Sequence, residues 1–246
     1  MMKDNFSRQS GGYKTYRPVY PSALFQFIFR QLAANKLAWD AGTGNGQTAS
    51  VLAGYFDEVI ATDISASQLQ LAPALPNVRY RNEPADNTSI EAATINLVTV
   101  SQALHWFPID KFYAEVRRVA APGAIIAVWT YSLLKIRPAI DALISNFHFK
   151  LLADHWDPER KHVDNGYTDI AFPFAAIPAP KFQIETDWTL QELEGYINTW
   201  SGVQKFISTE GYNPVDKLIE NIQLYWPPRD KMHIEFPLHV KIGRVH

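Results

Sequence analysis

Leu37–Ala49 reads LAWDAGTGNGQTA, which sets one acid, Asp40, ahead of three alternating glycines, Gly42, Gly44 and Gly46. A glycine turn after an apolar run lets backbone approach a ligand closely. Dinucleotides, phosphates and S-adenosylmethionine all use such turns. The pattern here is G-T-G-N-G, and Gln47 stands where a G-x-G-x-x-G dinucleotide turn has its third glycine. No Gly-Lys-Ser/Thr follows, so a phosphate loop fits poorly. Charge separates the remaining choices. Asp40 beside a pyrophosphate would cost on the order of 4 kcal/mol per unit charge at ~4 Å in a surface-like dielectric, whereas an ammonium or sulfonium would be attracted by a similar amount. A second acid, Asp63, lies nineteen residues after Gly44 at the end of the next apolar run. It could accept hydrogen bonds from both hydroxyls of a ribose, a feature shared by nicotinamide enzymes. His105, in SQALHWF, is the best-placed general base if an acceptor needs one. Packing beside Trp106 is the plainer reading for it.

These residues need elements to hold them. KLAWDAG, DEVIATDIS, NVRYRNE, TINLVTVSQA and GAIIAVWTYS read as buried strands. Helices are expected between them. GQTASVLAGYF carries Ala49, Leu52, Ala53 and Phe56 on one stripe, SASQLQLA opens on a capping Ser65, and DKFYAEVRRVAA aligns Phe112, Val116 and Val119 before Pro122-Gly123. Alternating strands and helices imply right-handed crossovers and a parallel sheet, with ligands outside the strands' carboxyl ends. Gly42, Asp63, the Glu83–Asp86 loop and Ser101–Trp106 all fall at such ends.

After residue 132 the alternation stops. RPAIDALISNFHFKLLADHW predicts a helix, NGYTDIAFPFAAIPAPKF a loop, and FQIETDWT and HIEFPLHVKIGRV two late strands. Between those strands TLQELEGYINTWSGVQKFIS predicts one helical segment, with Leu190, Leu193, Tyr196, Ile197 and Trp200 in register. A Pro-started helix is expected near the beginning, after an arm bearing Tyr13, Tyr16 and Tyr20.

Composition bounds the rest. A chain of 246 residues that is 47% hydrophobic can fill one large core. A formal net charge of -2 gives no electrostatic case for nucleic acid or an anionic membrane, and Arg117-Arg118 reads as a solvated helix face. The absence of cysteine excludes disulfides, thiolate catalysis and cysteine-ligated zinc, and it fits a reducing, cytoplasmic setting. No metal site is expected. MMKDNFSRQSGGYKTY has no apolar core of the signal-peptide kind, and no run approaches ~18 apolar residues, so neither secretion nor a membrane span is expected.

The motifs DAGTGNG, TDIS, PAD and SQALHWF…KFYAEVRRVAAPGAIIAVW resemble the successive motifs of class I S-adenosylmethionine-dependent methyltransferases. The resemblance is closest to the small-molecule, type-11 branch that includes trans-aconitate methyltransferase-like proteins. YRPVYP, YINTWSGV and FPLHVKIGRV look like further marks of that branch, so the likeness spans nearly the whole chain. It implies an α/β, Rossmann-like, seven-stranded and mostly parallel sheet with helices on both faces and a helical cap. One domain, 1–246, would comprise an arm and helix (1–35), a cofactor-binding core (36–132), a substrate cap interleaved with a late strand (133–230) and a final strand (231–246). Asp40, Gly42 and Gly44 would meet the methionine end of S-adenosylmethionine, and Gly46 would let the next helix pack closely. Asp63 would bind the ribose, Ile64 would flank the adenine, Ala85 and Asp86 would meet its edge, and Gln102 and Ala103 would floor the methionine. The family usually has Ala-Glu-Asp or Ala-Glu where Pro84-Ala85-Asp86 stands, and an apolar residue at Gln68, which is therefore left out. The tyrosine arm would form a lid, with Tyr16, Tyr20, Trp106 and Trp200 in the substrate pocket. No Asn/Asp-Pro-Pro-Tyr/Phe stands at Ser101–Leu104, which argues against DNA, RNA and glutamine-amide acceptors. The expected activity is methyl transfer to a small molecule, with a carboxylate as the candidate acceptor and Arg17 or Lys205 as candidate grips for an acidic substrate. A non-catalytic scaffold and an NAD-dependent oxidoreductase are the rival readings, and the oligomeric state is left open.

Overall fold

The structure is a computed structural model that describes residues 18–228 and 230–245. Tyr13, Tyr16 and Arg17 lie outside the described residues. The first described helix, α1 (Ser22–Phe29), follows Pro21 and buries Leu24, Phe25 and Ile28. Strand β1 (Leu37–Ala41) leads into α2 (Gln47–Ala53), β2 (Glu58–Asp63) and the short α3 (Ala66–Leu69). As the sequence predicts, the Ser65 hydroxyl accepts the Gln68 N–H at the start of α3. Strands β3 (Val78–Asn82) and β4 (Ile95–Ser101) follow, then α4 (Ile109–Val119) and β5 (Ala120–Tyr131). Helix α4 buries the predicted Phe112, Val116 and Val119 but ends before Pro122-Gly123. Ala120 already pairs with Ile95 in the sheet, so the strand begins at once.

The sheet order is β3-β2-β1-β4-β5, and these five strands are mutually parallel. The chain moves outward from β1 on one side and then crosses to β4 on the other. That reversal opens a crevice at the carboxyl ends of β1 and β4. Strand β5 shows how both faces are covered. Ile125, Ala127 and Trp129 belong to one core, and Ala124, Ile126 and Val128 to the other. This is the period-two alternation of a strand buried on both sides. Trp129 meets Tyr20 and Phe25 edge-on from the α1 side, and Trp39 meets Phe112 from the α4 side.

The second half departs from its sequence reading in four places. The helix expected through Trp156 is α5 (Pro138–Asn146), continued by a π turn (Phe147–Leu151) and a 3₁₀ turn (Ala153–His155). A short α6 (Arg160–Asp164) precedes the segment expected as loop, which contains an extra two-residue strand, β6 (Ala175–Ala176). Beyond β7 (Phe182–Trp188), the single predicted helix is two: α7 (Leu190–Asn198) and α8 (Ser201–Glu210). Trp200 takes an extended backbone between them, and its ring is buried against Phe147, His148, Trp156 and Tyr196. Packing of one large ring thus overrides helical continuity. Helix α9 (Val215–Gln223) was not anticipated, although Val215, Leu218 and Ile222 mark its buried stripe. The final strand, β8 (Met232–Arg244), runs antiparallel to β5, β6 and β7. The sheet therefore has eight strands, the addition to the expected seven being β6 at its edge. No helix among the described residues is long and apolar enough to cross a membrane.

Candidate active site

The glycine turn is built on three positive φ angles: +68° at Gly42, +56° at Gly44 and +81° at Gly46. Each angle has its own reason. A Cβ on Gly42 would lie 2.6 Å from the Ala103 Cβ, and one on Gly46 would lie 2.7 Å from the Tyr80 hydroxyl. These two glycines let neighbouring segments close against the turn, and at Gly46 the close neighbours are Tyr80 of β3 and Ala72, not the following helix. A Cβ on Gly44 would meet nothing within 4 Å, because this glycine faces the open crevice. The turn is stitched to the end of β2. Gly42 and Thr43 donate N–H groups to the Thr62 carbonyl at 2.9 and 3.0 Å, and Gly44 donates to Asp63 Oδ2 at 2.8 Å. Ser65 N–H donates to Asp63 Oδ1, also at 2.8 Å. Both carboxylate oxygens of Asp63 are thereby held in place, with lone pairs left for further donors.

Asp40 differs from expectation. It is fully buried and is not on the crevice wall. Thr43 Oγ1 and Thr99 Oγ1 donate to its two oxygens at 2.6 and 2.7 Å. Burial pushes its carboxyl up to about 6, against the lowering effect of those hydroxyls. Asp40 anchors the turn to β4 from behind and does not line the crevice where the sequence reading put it.

The crevice encloses about 1000 Å³ including its mouth. Of the residues expected to bind the cofactor, Gly42, Gly44, Asp63, Ile64, Ala85, Gln102 and Ala103 line it, and so do Tyr20 and Trp106, which were expected in the substrate pocket. Gly46 lies behind the turn, and Asp86 faces an adjoining recess beside Pro84 and Lys111. Gln102 has a positive φ of 55°, an uncommon conformation for a side-chain-bearing residue. Its N–H donates to the Trp129 carbonyl, and its Oε1 accepts the Thr130 hydroxyl. The strand tip is thus bent and locked where it meets the crevice. Sequence reasoning placed Glu83 in a loop at the strand ends without giving it a role, missed Thr43 and Tyr131 on this wall and set Gln68 aside, although Gln68 lines it too. Its place in the short helix after β2 was the available signal. The donor set fits S-adenosylmethionine: a fixed carboxylate suits a ribose, Ile64 and Ala85 suit a flat base, and the bare Gly44 leaves room for a chain beside the turn.

A second cavity, about 620 Å³ including its mouth, shares Gln102, Trp106 and Tyr131 with the crevice. Trp156, Tyr196 and Trp200 supply aromatic walls, and His105, Asp157 and Arg160 supply polar groups. Trp200 therefore belongs to this cavity, and Tyr20 to the crevice. His105 Nδ1 bonds the Tyr167 hydroxyl at 2.8 Å. Loss of water, then the positive charges of Arg160 and His162, push the His105 ring down to about 3 against the opposing pull of Asp164. The ring is neutral at pH 7 and is a poor proton acceptor there. Lys205 Nζ lies 2.6 Å from Asp157 Oδ1, so each neutralises the other. Among the described residues, one group has metal-ligand spacing, Glu185, His233 and Glu235 on β7 and β8, and none of the three lines the crevice or the cavity.

Residues 39–128 match the model of a methyltransferase domain. A solved structure from Anaeromyxobacter dehalogenans, titled as a type II methyltransferase, is 36% identical, with a TM-score of 0.87 over 94% of this chain and 99% of that one. A protein of Dictyostelium discoideum that carries a methyltransferase name is 29% identical over 98% of this chain and 95% of its own length. A protein of Saccharomyces cerevisiae, named as an S-adenosylmethionine-dependent methyltransferase, is 28% identical over 52% of this chain and 47% of its own.

Proposed function

The chain belongs to the S-adenosylmethionine-dependent methyltransferases, and on that premise we propose that it methylates a carboxylate oxygen of a small, largely apolar acceptor. Its cofactor is S-adenosylmethionine, which sets aside the reading as an NAD-dependent oxidoreductase. When bound, the cofactor supplies a sulfonium-activated methyl group for in-line displacement by a nucleophile. Asp63 would hold the ribose, Ile64 would flank the adenine and Ala85 would meet its edge, Gln68 lines the same crevice, and the Gly42–Gly44 backbone with Gln102 and Ala103 would hold the methionine end. Asp40 acts through Thr43 by keeping the turn in shape. Trp106, on the wall common to both spaces, orients the acceptor toward the crevice and keeps water out. Residues 133–230 act as the cap, through Trp156, Arg160, Tyr196 and Trp200.

The observation that carries the choice of acceptor is that no described residue on the cavity wall is a competent base. His105 is pushed down to about 3, and Asp157 is paired with Lys205. A hydroxyl, phenol or ammonium acceptor would need its proton removed, whereas a carboxylate arrives ionised. The reading keeps the type-11, trans-aconitate-like branch, whose named acceptor is itself a carboxylic acid, and a cytoplasmic setting. The test is transfer of isotopically labelled methyl from S-adenosylmethionine to a panel of small organic acids, followed by mild alkali. Methyl esters release labelled methanol. Label that survives alkali in an ether or amine would overturn the acceptor class. Cofactor binding with no transfer to any acid, alcohol or amine would favour the non-catalytic scaffold.

A further inference from the structure

We propose that Arg160 is the specificity-determining residue of the acceptor cavity and that it selects an aromatic carboxylic acid by pairing with its anionic group. This deepens the carboxylate reading above and rests on it. Arg160 stands at the start of α6, and its guanidinium lies over the Trp156 ring at 4.8 Å from the centroid. Its Nε donates to Asp164 Oδ1 at 3.1 Å. Among the described residues its two terminal nitrogens have no hydrogen-bond partner, and Arg160 lines the cavity. A guanidinium stacked on a ring and held at one nitrogen presents its remaining donors in a fixed fork, the geometry that grips a carboxylate in a bidentate manner.

The surroundings strengthen the assignment. Asp164 is itself held by the fully buried His148 at 3.2 Å, so the anchor of Arg160 is also anchored. The other cation near the cavity, Lys205, is spent on Asp157, which makes it a poor grip for an acidic substrate. Arg17 lies outside the described residues. Trp106, Trp156, Trp200, Tyr131 and Tyr196 are five of the other ten lining residues, and those rings suit a flat apolar body better than a second or third carboxylate. Among the described residues, the cavity thus offers a guanidinium that is paired through Nε but has both terminal nitrogens open, set among aromatic rings.

The probes are 3-phenylpropanoate, its amide, and the aliphatic tricarboxylate trans-aconitate. Each is titrated calorimetrically into the whole protein saturated with S-adenosylhomocysteine. The expected result is that 3-phenylpropanoate binds at least 10-fold more tightly than either of the other two. Arg160→Gln should lose at least 10-fold in affinity for the acid and bind acid and amide alike. Arg160→Lys, which keeps the charge without the planar fork, should fall between wild type and Arg160→Gln. Both variants should bind S-adenosylhomocysteine as wild type does, which serves as the control for folding. An acid bound equally well by wild type and Arg160→Gln, or an amide bound as tightly as the acid, overturns the role of Arg160. Preference for trans-aconitate, or no binding of 3-phenylpropanoate by wild type that binds S-adenosylhomocysteine, overturns the aromatic substrate class. The two readings fail separately. Wild type that does not bind S-adenosylhomocysteine defeats the cofactor assignment, and alkali-stable product defeats the carboxylate nucleophile.

Discussion

The crevice and the cavity share Gln102, Trp106 and Tyr131 yet are built on opposite principles. The crevice is a structure of hydrogen bonds. Its glycine turn, the Asp63 carboxylate and the bent tip of β4 are held by backbone donors and short polar side chains from consecutive parallel strands. The cavity is a structure of rings. Trp156, Tyr196 and Trp200 arrive from an irregular layer after the fifth strand, and the polar groups among them, His105, Asp157 and Arg160, are each held by a residue behind the wall. The difference teaches a division of labour. The groups around the crevice are placed by the sheet, whose register is rigid, while the cavity walls, proposed above to select the acceptor, are placed by side-chain packing, which can vary without disturbing the sheet.

A crossed pair of variants gives the largest effects and tests that division directly. Trp200→Ala should cost about 3–5 kcal/mol of stability in urea unfolding, the usual loss for a buried tryptophan, while the folded fraction keeps its affinity for S-adenosylhomocysteine. Asp63→Ala should do the reverse. Loss of two charge-assisted hydrogen bonds weakens S-adenosylhomocysteine binding by about 100- to 1000-fold, or about 3–4 kcal/mol, with a smaller effect on unfolding. A large loss of cofactor affinity in Trp200→Ala would mean that the two spaces are mechanically one.

Acid should loosen the crevice rim and leave the rings untouched. Glu115 on α4 accepts from the Thr88 N–H and hydroxyl and pairs with Arg118, and the neighbouring Ser89 is tied to Glu83 on the crevice wall. The Arg118 hydrogen bond leads the causes that bring the Glu115 carboxyl down to about 2. Its stabilisation, about 2–3 kcal/mol, is fully present above the ordinary glutamate value near 4.5 and is lost as pH falls toward 2. Glu115→Gln should therefore be less stable than wild type at pH 7 by that amount, with the gap narrowing between pH 4.5 and 3. Asp40 has the opposite sign. Its raised value means that stability falls as pH rises from the ordinary aspartate value of 3.8 through about 6, and acidification back through that window restores it. A gap between wild type and Glu115→Gln that stays constant from pH 7 to 3 would remove the clamp on the rim.

The same division explains what could be read from the sequence. The crevice was legible because each of its parts is local. A glycine turn, an acid at the next strand end and the Ser101–Trp106 segment lie at fixed offsets within a repeating strand–helix rhythm, and the sheet brings them together. Asp40 was misplaced because a strand-end acid reads the same whether it faces a ligand or two threonines, and Thr99 lies 59 residues away. The cavity was largely illegible. Trp200 could be named from a helical stripe, but Trp156 and Arg160 come from a turn and a five-residue helix with no period to mark them. Their meeting depends on the break at Trp200, which ring packing imposes against local propensity. For the same reason α7 and α8 were read as one helix, and β6 as loop.

Two glycines in one turn give a finer contrast, between a residue required by the fold and one required by the ligand. Gly42→Ala should cost about 2–3 kcal/mol, since a positive φ and a near collision with Ala103 both oppose it. Gly44→Ala carries the strained φ alone and should cost about 1 kcal/mol. Its methyl group enters the crevice, so calorimetry should show S-adenosylhomocysteine affinity falling about 10-fold. Equal destabilisation by the two variants would contradict the assignment of Gly44 to the ligand.

The smallest expected effect is a null, and it bears on the cavity's chemistry. His105 sits between Trp106 and Tyr167 with its Nδ1 on the tyrosine hydroxyl. With its ring pushed down to about 3, its NMR signals should stay in place from pH 8 to pH 5. Desolvation is the leading cause, so Tyr167→Phe should leave that silence intact while breaking the hydrogen bond. A His105 midpoint between 6 and 7 would mean that water reaches the ring. The cavity would then hold a base matched to neutral pH, and an acceptor that must lose a proton, such as a phenol, would suit it better than a carboxylate. This titration therefore distinguishes a cavity that only selects an ionised acceptor from one that also activates it.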